Sequence, residues 1–241
     1  MNDVSYTTSV VAVPDLDEPT KQAMAALYLA SYDGASEKLF RSDLAGKQKA
    51  LLLYANGTLA GFTTLKCYER IWQDSPINVI YSGDTVVARA HWGQQALAFA
   101  WITYVGELWR NNPRIPLYWF LLVKGHRTFR YLPVFGKSFY PHWSIDRSDL
   151  KPLADMLALE MFPDDYNPAT GVIEFGRSRG HLKPDIALPT QEELRREGVQ
   201  FFLDRNPGFR HGHELVCLCE VAEANMKPLT LRLFRKHLQA G

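Results

Sequence analysis

The sequence is poor in the features that define whole classes of protein. It has three cysteines in 241 residues, an odd and small number, so a disulfide framework is not expected. No long apolar run occurs. The most apolar stretch, Ala96 to Gly106, is about half of the roughly 20 residues that a membrane-spanning helix requires. The first residues, Met1-Asn2-Asp3-Val4-Ser5, lack the basic start and apolar stretch of a secretory signal, which makes the cytoplasm the expected compartment. No charge of one sign prevails: 27 Lys+Arg face 26 Asp+Glu, a formal net charge of +1. Such a chain has no global field for collecting nucleic acid or anionic lipid, so any basic surface must be local. Repeats and low-complexity runs are absent, as are the G-x-S-x-G, P-loop, H-E-x-x-H and dinucleotide signatures.

Aromatic residues are well represented, and they are clustered. Of thirty Phe, Tyr and Trp, thirteen fall between Phe99 and Trp143, under a fifth of the chain. A hydrophobic fraction of 46% and a charged fraction of 22% fit a folded domain large enough for a substantial core.

The order of expected elements follows from pattern. Tyr6 to Val13 reads as a strand closed by Pro14, and Asp17-Glu18-Pro19 as a helix start. Met24, Leu27, Tyr28 and Ser31 share one face of that helix, and Ser36 to Leu44 forms a shorter one. Asn56-Gly57 joins two strands, Ala50 to Tyr54 and Thr58 to Leu65, because this pair accepts the positive φ of a tight turn. A strand from Ile77 to Val87 is interrupted by Ser82-Gly83-Asp84. Leu97, Trp101, Tyr104 and Leu108 make a helical stripe, predicting a helix from Trp92 to Trp109 that Asn111-Asn112-Pro113 stops. Leu117 to Val123 is apolar throughout and suits a strand buried on both faces. After Pro141 we expect helices at Leu150 to Phe162, Gln191 to Arg205 and Pro228 to Gln239, and strands at Val172 to Phe175 and Leu215 to Val221.

The order of these elements, together with Val86-Val87-Ala88-Arg89-Ala90-His91-Trp92-Gly93-Gln94-Gln95-Ala96-Leu97, resembles the GNAT superfamily of acyl-coenzyme A-dependent N-acyltransferases over residues 5 to 141. In that family the fourth strand enters a turn of pattern Q/R-x-x-G-x-G/A ahead of a long helix. Gly93 fits the first glycine, Gln94-Gln95 replaces x-G/A, and Ala90 replaces the Gln or Arg, with Arg89 one residue earlier. The resemblance implies an α/β fold: a GNAT-like mixed central sheet flanked by helices, with an elaborated C-terminal region. It divides the chain into a core over 1–141 and an elaboration packed on it over 142–241. The segment from Gly125 to Pro141 is similar to that of long-chain N-acyl amino acid synthases.

The resemblance also implies a function, moving an acyl group from a thioester to a small-molecule amine by direct attack in a ternary complex. It assigns donor binding to Val86, Val87, Arg89, Trp92, Gly93 and Gln94. Backbone amides at a helix N-terminus hold anions, so the degenerate turn remains a phosphate site in principle. The donor is acyl-coenzyme A or an acyl-phosphopantetheine on an acyl carrier protein, which needs fewer phosphate contacts. Attack requires the amine to lose a proton, so a carboxylate or histidine near the cleft serves as base. Asp84 is the first candidate and Glu69 and His126 its rivals, although Gly83-Asp84 also reads as a bulge or turn. Tyr131 corresponds to the tyrosine that the family places after its fifth strand as the acid for the leaving thiolate, with Tyr140 behind it; a buried tyrosine with a satisfied hydroxyl is the plainer reading.

Seven Lys+Arg against two acids between Arg114 and Lys151 suggest a basic patch that an acidic carrier protein, a nucleotide phosphate or bulk water could face. Single-stranded nucleic acid is not expected, because the aromatics near Trp119 lie in an apolar strand. His211-Gly212-His213 and Cys217-Leu218-Cys219 lack the usual spacing of zinc ligands, and no metal is expected. The alternative function is a catalytically inactive GNAT-like domain that binds a lipid, a carrier protein or another protein.

Overall fold

In the computed structural model, residues 4–176 and 179–236 are described. Strand β1 (Tyr6–Ala12) leads to helix α1 (Glu18–Ser31), which begins where its capping residue dictates. Asp17 accepts a hydrogen bond from the Thr20 amide at 2.8 Å, and Pro19 occupies the first turn. A two-residue strand, β2 (Tyr32–Asp33), precedes α2 (Glu37–Ala45), which Ser36 caps through the Leu39 amide. Strands β3 (Lys49–Ala55) and β4 (Thr58–Trp72) are joined by Asn56 and Gly57 at φ 49° and 82°.

β4 runs seven residues beyond the expected Leu65 and turns directly into β5 (Ser75–Val87). The turn, Gln73-Asp74, has positive φ at both positions without a glycine to announce it. Helix α3 (Ala96–Asn111) starts four residues later than Trp92. Arg89–His91 form a separate 3-10 turn, and Gly93 at φ 88° breaks the path between the two. Strand β6 (Leu117–Val123) follows, then α4 (His126–Phe129) and α5 (Tyr131–Phe135). The remaining elements are α6 (Lys151–Met161), β7 (Tyr166–Asn167), β8 (Val172–Ile173), β9 (His181–Leu182), α7 (Pro184–Ala187), α8 (Glu197–Arg205), β10 (Glu214–Glu220) and α9 (Pro228–Phe234). The end of the expected last helix, to Gln239, lies outside the described residues.

Eight strands form one mixed sheet in the order β1-β3-β4-β5-β6-β10-β8-β7, and β2 pairs with β9 apart from it. Among the described residues, only β5 and β6 run parallel within the large sheet, which requires the crossover that α3 provides. β10 pairs antiparallel with β6 from Leu215↔Val123 to Glu220↔Tyr118, so a segment far beyond residue 141 supplies an interior strand of the sheet. Leu97, Trp101 and Val105 of α3 bury against Leu51, Leu65, Ile80 and Trp119. Met24 and Tyr28 of α1, with Phe40 and Leu44 of α2, cover Leu52, Phe62 and Val86. Leu153 and Leu157 of α6 cover Phe120, Val216 and Leu218. Most of the clustered aromatics are core: Trp101 lies 4.4 Å from Trp119 and stacks on Phe135 at 5.7 Å between ring centres.

Candidate active site

The site is built by the parting of two strands. β5 and β6 pair from Asn78↔Leu117 to Ser82↔Leu121, and then β5 continues to Val87 without β6, still paired with β4. The parting coincides with a bulge: Leu65 of β4 opposes Ser82, whereas Thr63 opposes Thr85, leaving an extra residue at Gly83-Asp84. A Cβ on Gly83 would lie 2.5 Å from both Lys47 Cε and Thr64 Oγ1, so any larger residue there must push these side chains aside. Beyond the bulge the backbone alternates. The Ala88 amide donates to the Ala60 carbonyl at 2.8 Å, so Val86 bonds toward Phe62, while Thr85 and Val87 turn their amides and carbonyls to the edge that β6 has left. The Trp92 indole takes the Val87 carbonyl at 2.9 Å.

A cavity of about 490 Å³ opens at this edge, between β5, the turn 91–95, the start of α3, and α4–α5. Val86, Val87, Trp92, Gly93 and Gln94 all line it. The Ala96 and Ala98 amides at the α3 N-terminus have no hydrogen-bond partner among the described residues, and the Leu97 amide is capped by Gln94 Oε1 at 3.2 Å. Gln94 therefore covers one of the donors that a glycine would leave open. Arg89 is not part of the cavity wall. It reaches out to Asp185 at 2.7 Å and lies over the ring of Trp92, which does line the cavity. The cations at the cavity are Arg127, which pairs with Glu193 at 3.1 Å, and Arg130, which has no ion pair among the described residues. The basic cluster read from sequence is dispersed: Lys124 is tied to Glu214, Arg147 to Asp149 and Lys151 to Asp155.

A second cavity, of about 100 Å³, opens on the other side of the parted strands. Asp84 lines it together with Tyr28, Tyr32, Tyr81, Asp43 and the Lys124–Glu214 pair, in which the ions lie 3.1 Å apart. Asp43 forms a close ion pair with Lys47, whose side chain is almost wholly buried. The Asp84 side chain is half-buried and makes no hydrogen bond or ion pair among the described residues. Burial and the Asp43 charge push its carboxyl up to about 6, against the opposing pull of Lys124 and Lys47, with Glu214 adding to the rise.

Between the two cavities lies a third, a wedge of about 40 Å³ in the fork of β5 and β6. Tyr131 lines both the wedge and the large cavity, and burial raises its hydroxyl pKa so that the proton is retained at neutral pH. His126 lines none of these three cavities. It is 1% exposed, faces Glu193 at 3.5 Å, and burial with the neighbouring Arg127 holds its pKa down, so it has no route to a substrate amine. Glu69 is exposed on the outer arm of β4, opposite Asn78 and outside all three cavities. Tyr140 is buried beside Leu218. Cys217 and Cys219 are buried in β10, and burial raises both thiols. Among the described residues, no three His, Cys, Asp or Glu gather in a metal-ligand geometry, and no helix is long and apolar enough to cross a membrane.

Sequence reasoning missed Asp43, Lys47, Lys124 and Glu214. Lys124 reads as a strand end, and Glu214 stands ninety residues away at the head of an apolar run. A lone acid opening Leu-Val-Cys-Leu-Cys was the available signal.

No family model matches the chain, and no curated protein matches it. Solved structures do. A conserved Enterococcus faecalis protein described as a probable N-acyltransferase is 10% identical with a TM-score of 0.40, over 55% of this chain and 33% of that one. A GCN5-related N-acetyltransferase from Kribbella flavida is 16% identical with a TM-score of 0.38, over 54% and 34%. A GNAT family N-acetyltransferase from Escherichia coli, solved in complex with CoA, is 14% identical with a TM-score of 0.39, over 54% and 71%. The similarity thus spans about half of this chain and about a third of the first two structures.

Proposed function

We propose that the protein is an N-acyltransferase in which an acyl thioester enters the large cavity, an amine enters the smaller one, and the two react at the fork of β5 and β6. One observation carries this reading: on one strand, a carboxylate without an ion pair and with a raised pKa lines the smaller cavity, and next to it two edge-facing backbone amides border the larger, with Thr85 lining both. Asp84 takes a proton from the amine, whose nitrogen attacks the thioester carbonyl carbon. A nitrogen–carbon bond forms, the carbon–sulfur bond breaks, and the Tyr131 hydroxyl protonates the leaving thiolate, giving an amide and a free thiol. The Thr85 and Val87 amides supply donors to the thioester arm and to the developing oxyanion. Holding both reactants in one geometry provides most of the rate. Cys217 and Cys219 are buried in the sheet, and Cys67, its thiol raised by burial, lines none of the three cavities, so direct attack is favoured over an acyl-cysteine.

The choice of donor rests on the rim of the large cavity. Arg89 is tied to Asp185, Gln94 caps Leu97, and Trp92, Val134 and Leu229 are exposed along the wall. An apolar rim with few free cations suits a phosphopantetheine arm on a carrier protein better than the phosphates of coenzyme A. Purified protein incubated with acyl-coenzyme A or acyl-carrier donors and a pool of small amines is expected to form N-acyl products, read by mass spectrometry, faster from the carrier donor. Donor binding without transfer would favour an inactive binding domain, and neither binding nor transfer would remove both readings.

A further inference from the structure

The wedge in the fork of β5 and β6 has no role in holding the donor arm or the amine, yet it borders both. It shares Ser82, Gly83, Thr85, Leu122 and Thr128 with the smaller cavity, and Thr85, Ala98, Thr128, Tyr131 and Phe135 with the larger. Resting on the acyltransferase reading above, we propose that this wedge receives the acyl group and that Trp119, locked by Ser82, is its floor, limiting the donor to acyl groups of about two or three carbons.

The placement follows from the reacting atoms. A thioester carbonyl reached by the Thr85 and Val87 amides on one side and by an amine on Asp84 on the other lies at the mouth of the fork. The arm leaves through the large cavity and the amine fills the small one, so the acyl tail has the wedge to itself. The space is small: a water-sized group takes about 10–15 Å³, so about 40 Å³ holds about three such groups. Its walls are Leu97, Trp101 and Leu121, all buried.

The floor is fixed as well as close. Trp119 is 5% exposed, its indole N–H donates to Ser82 Oγ at 2.8 Å, and Trp101 and Phe135 pack against its ring at 4.4 and 5.9 Å between ring centres. Turning the indole aside would strand a buried donor, so a longer acyl tail cannot displace it cheaply. On the far side of Trp101, Trp119 and Phe135 lies another void, of about 30 Å³, reaching Ile102, Cys219 and Phe234. Truncating Trp119 joins the two spaces. The long chain that residues 125 to 141 bring to mind does not fit the wedge as closed by this residue.

The test uses the full chain with acetyl, propionyl, hexanoyl and octanoyl thioesters, each carried on coenzyme A and on the phosphopantetheine of an acyl carrier protein, and a pool of small primary amines, with initial rates read by mass spectrometry. We expect kcat/KM for hexanoyl and octanoyl donors to lie at least about tenfold below that for acetyl. Trp119→Leu should raise the hexanoyl-to-acetyl ratio at least about tenfold. A second variant leaves Trp119 in place: Ala98→Val on α3, where the wedge meets the large cavity, narrows the wedge and should lower the propionyl-to-acetyl ratio about fivefold or more. Circular dichroism confirms that each variant is folded. Octanoyl transfer as fast as acetyl transfer in the natural protein overturns the assignment of Trp119 and leaves the acyltransferase reading standing. So do unchanged ratios in Ala98→Val and in a folded Trp119→Leu. No transfer from any donor overturns the acyltransferase reading, and the acyl-length inference falls with it.

Discussion

Asp84 owes its chemistry to its surroundings more than to its own type. It stands between two ion pairs, Lys47–Asp43 and Lys124–Glu214, without belonging to either, and its carboxyl is pushed up to about 6. Transfer should therefore rise with pH through about 6 and level off, measured as kcat/KM from pH 4.5 to 8, since the base works unprotonated. Asp84→Asn should abolish this limb and lower the rate by about 10²–10⁴-fold, while Tyr131→Phe should cost about 10²-fold. The same carboxylate weakens the fold. Because its folded pKa exceeds the ordinary carboxylate value near 3.8, the folded state binds the proton more tightly, and the stability it contributes at low pH is lost as pH rises through about 6. Asp84→Asn is thus expected to be more stable than the natural protein at pH 8 by roughly 2–3 kcal/mol in urea denaturation, and little different near pH 3. Asp84 was legible in the sequence because it is a lone acid in a strand of Val, Ile, Tyr and Thr. Glu69 and His126 have the right chemistry, but residue type does not reveal that one faces outward and the other is sealed in. The ion pairs around Asp84 were not legible, since they are assembled from α2, β6 and β10, distant in the chain.

At the scale of the element, the decisive feature is the β5 bulge, where the sequence offered a bulge and a base as rival readings of Gly83-Asp84. The structure makes the bulge and also turns Asp84 into a cavity. Gly83→Ala should force Lys47 and Thr64 aside, lowering stability by about 1–3 kcal/mol and disturbing the environment of Asp84, which a shifted pH–rate midpoint would report. The strands and the stripe of α3 were readable from period and turn chemistry. The start of α3 was not, because Trp92 to Gln95 continue an apolar and polar pattern compatible with helix while Gly93 takes a positive φ. The docking of α9 was hidden too. It depends on Gly106, where a Cβ would overlap the Phe234 carbonyl oxygen, and Gly106→Ala should loosen α9 and lower the urea midpoint by an amount equivalent to about 1–3 kcal/mol.

At the scale of the molecule, the mixed sheet separates two chambers and the fork of β5 and β6 lets them communicate. α3, α5 and α9 wall the larger chamber, while α1 and α2 wall the smaller. At the smaller chamber Lys47 pairs with Asp43 and Lys124 with Glu214, while Asp84 and Arg179 line it outside these pairs. In the proposed reaction the Asp84 carboxylate receives the proton as an amine meets a thioester across the fork. The most direct test is a single-turnover measurement at pH 8, with excess enzyme, an acyl thioester and an accepted amine, comparing the natural protein with Asp84→Asn by mass spectrometry. The account predicts one amide and one thiol per donor consumed, no acylated enzyme, and a rate at least about 10²-fold lower in the variant. Accumulation of an acyl-enzyme, or an undiminished rate in a folded Asp84→Asn protein, would contradict it.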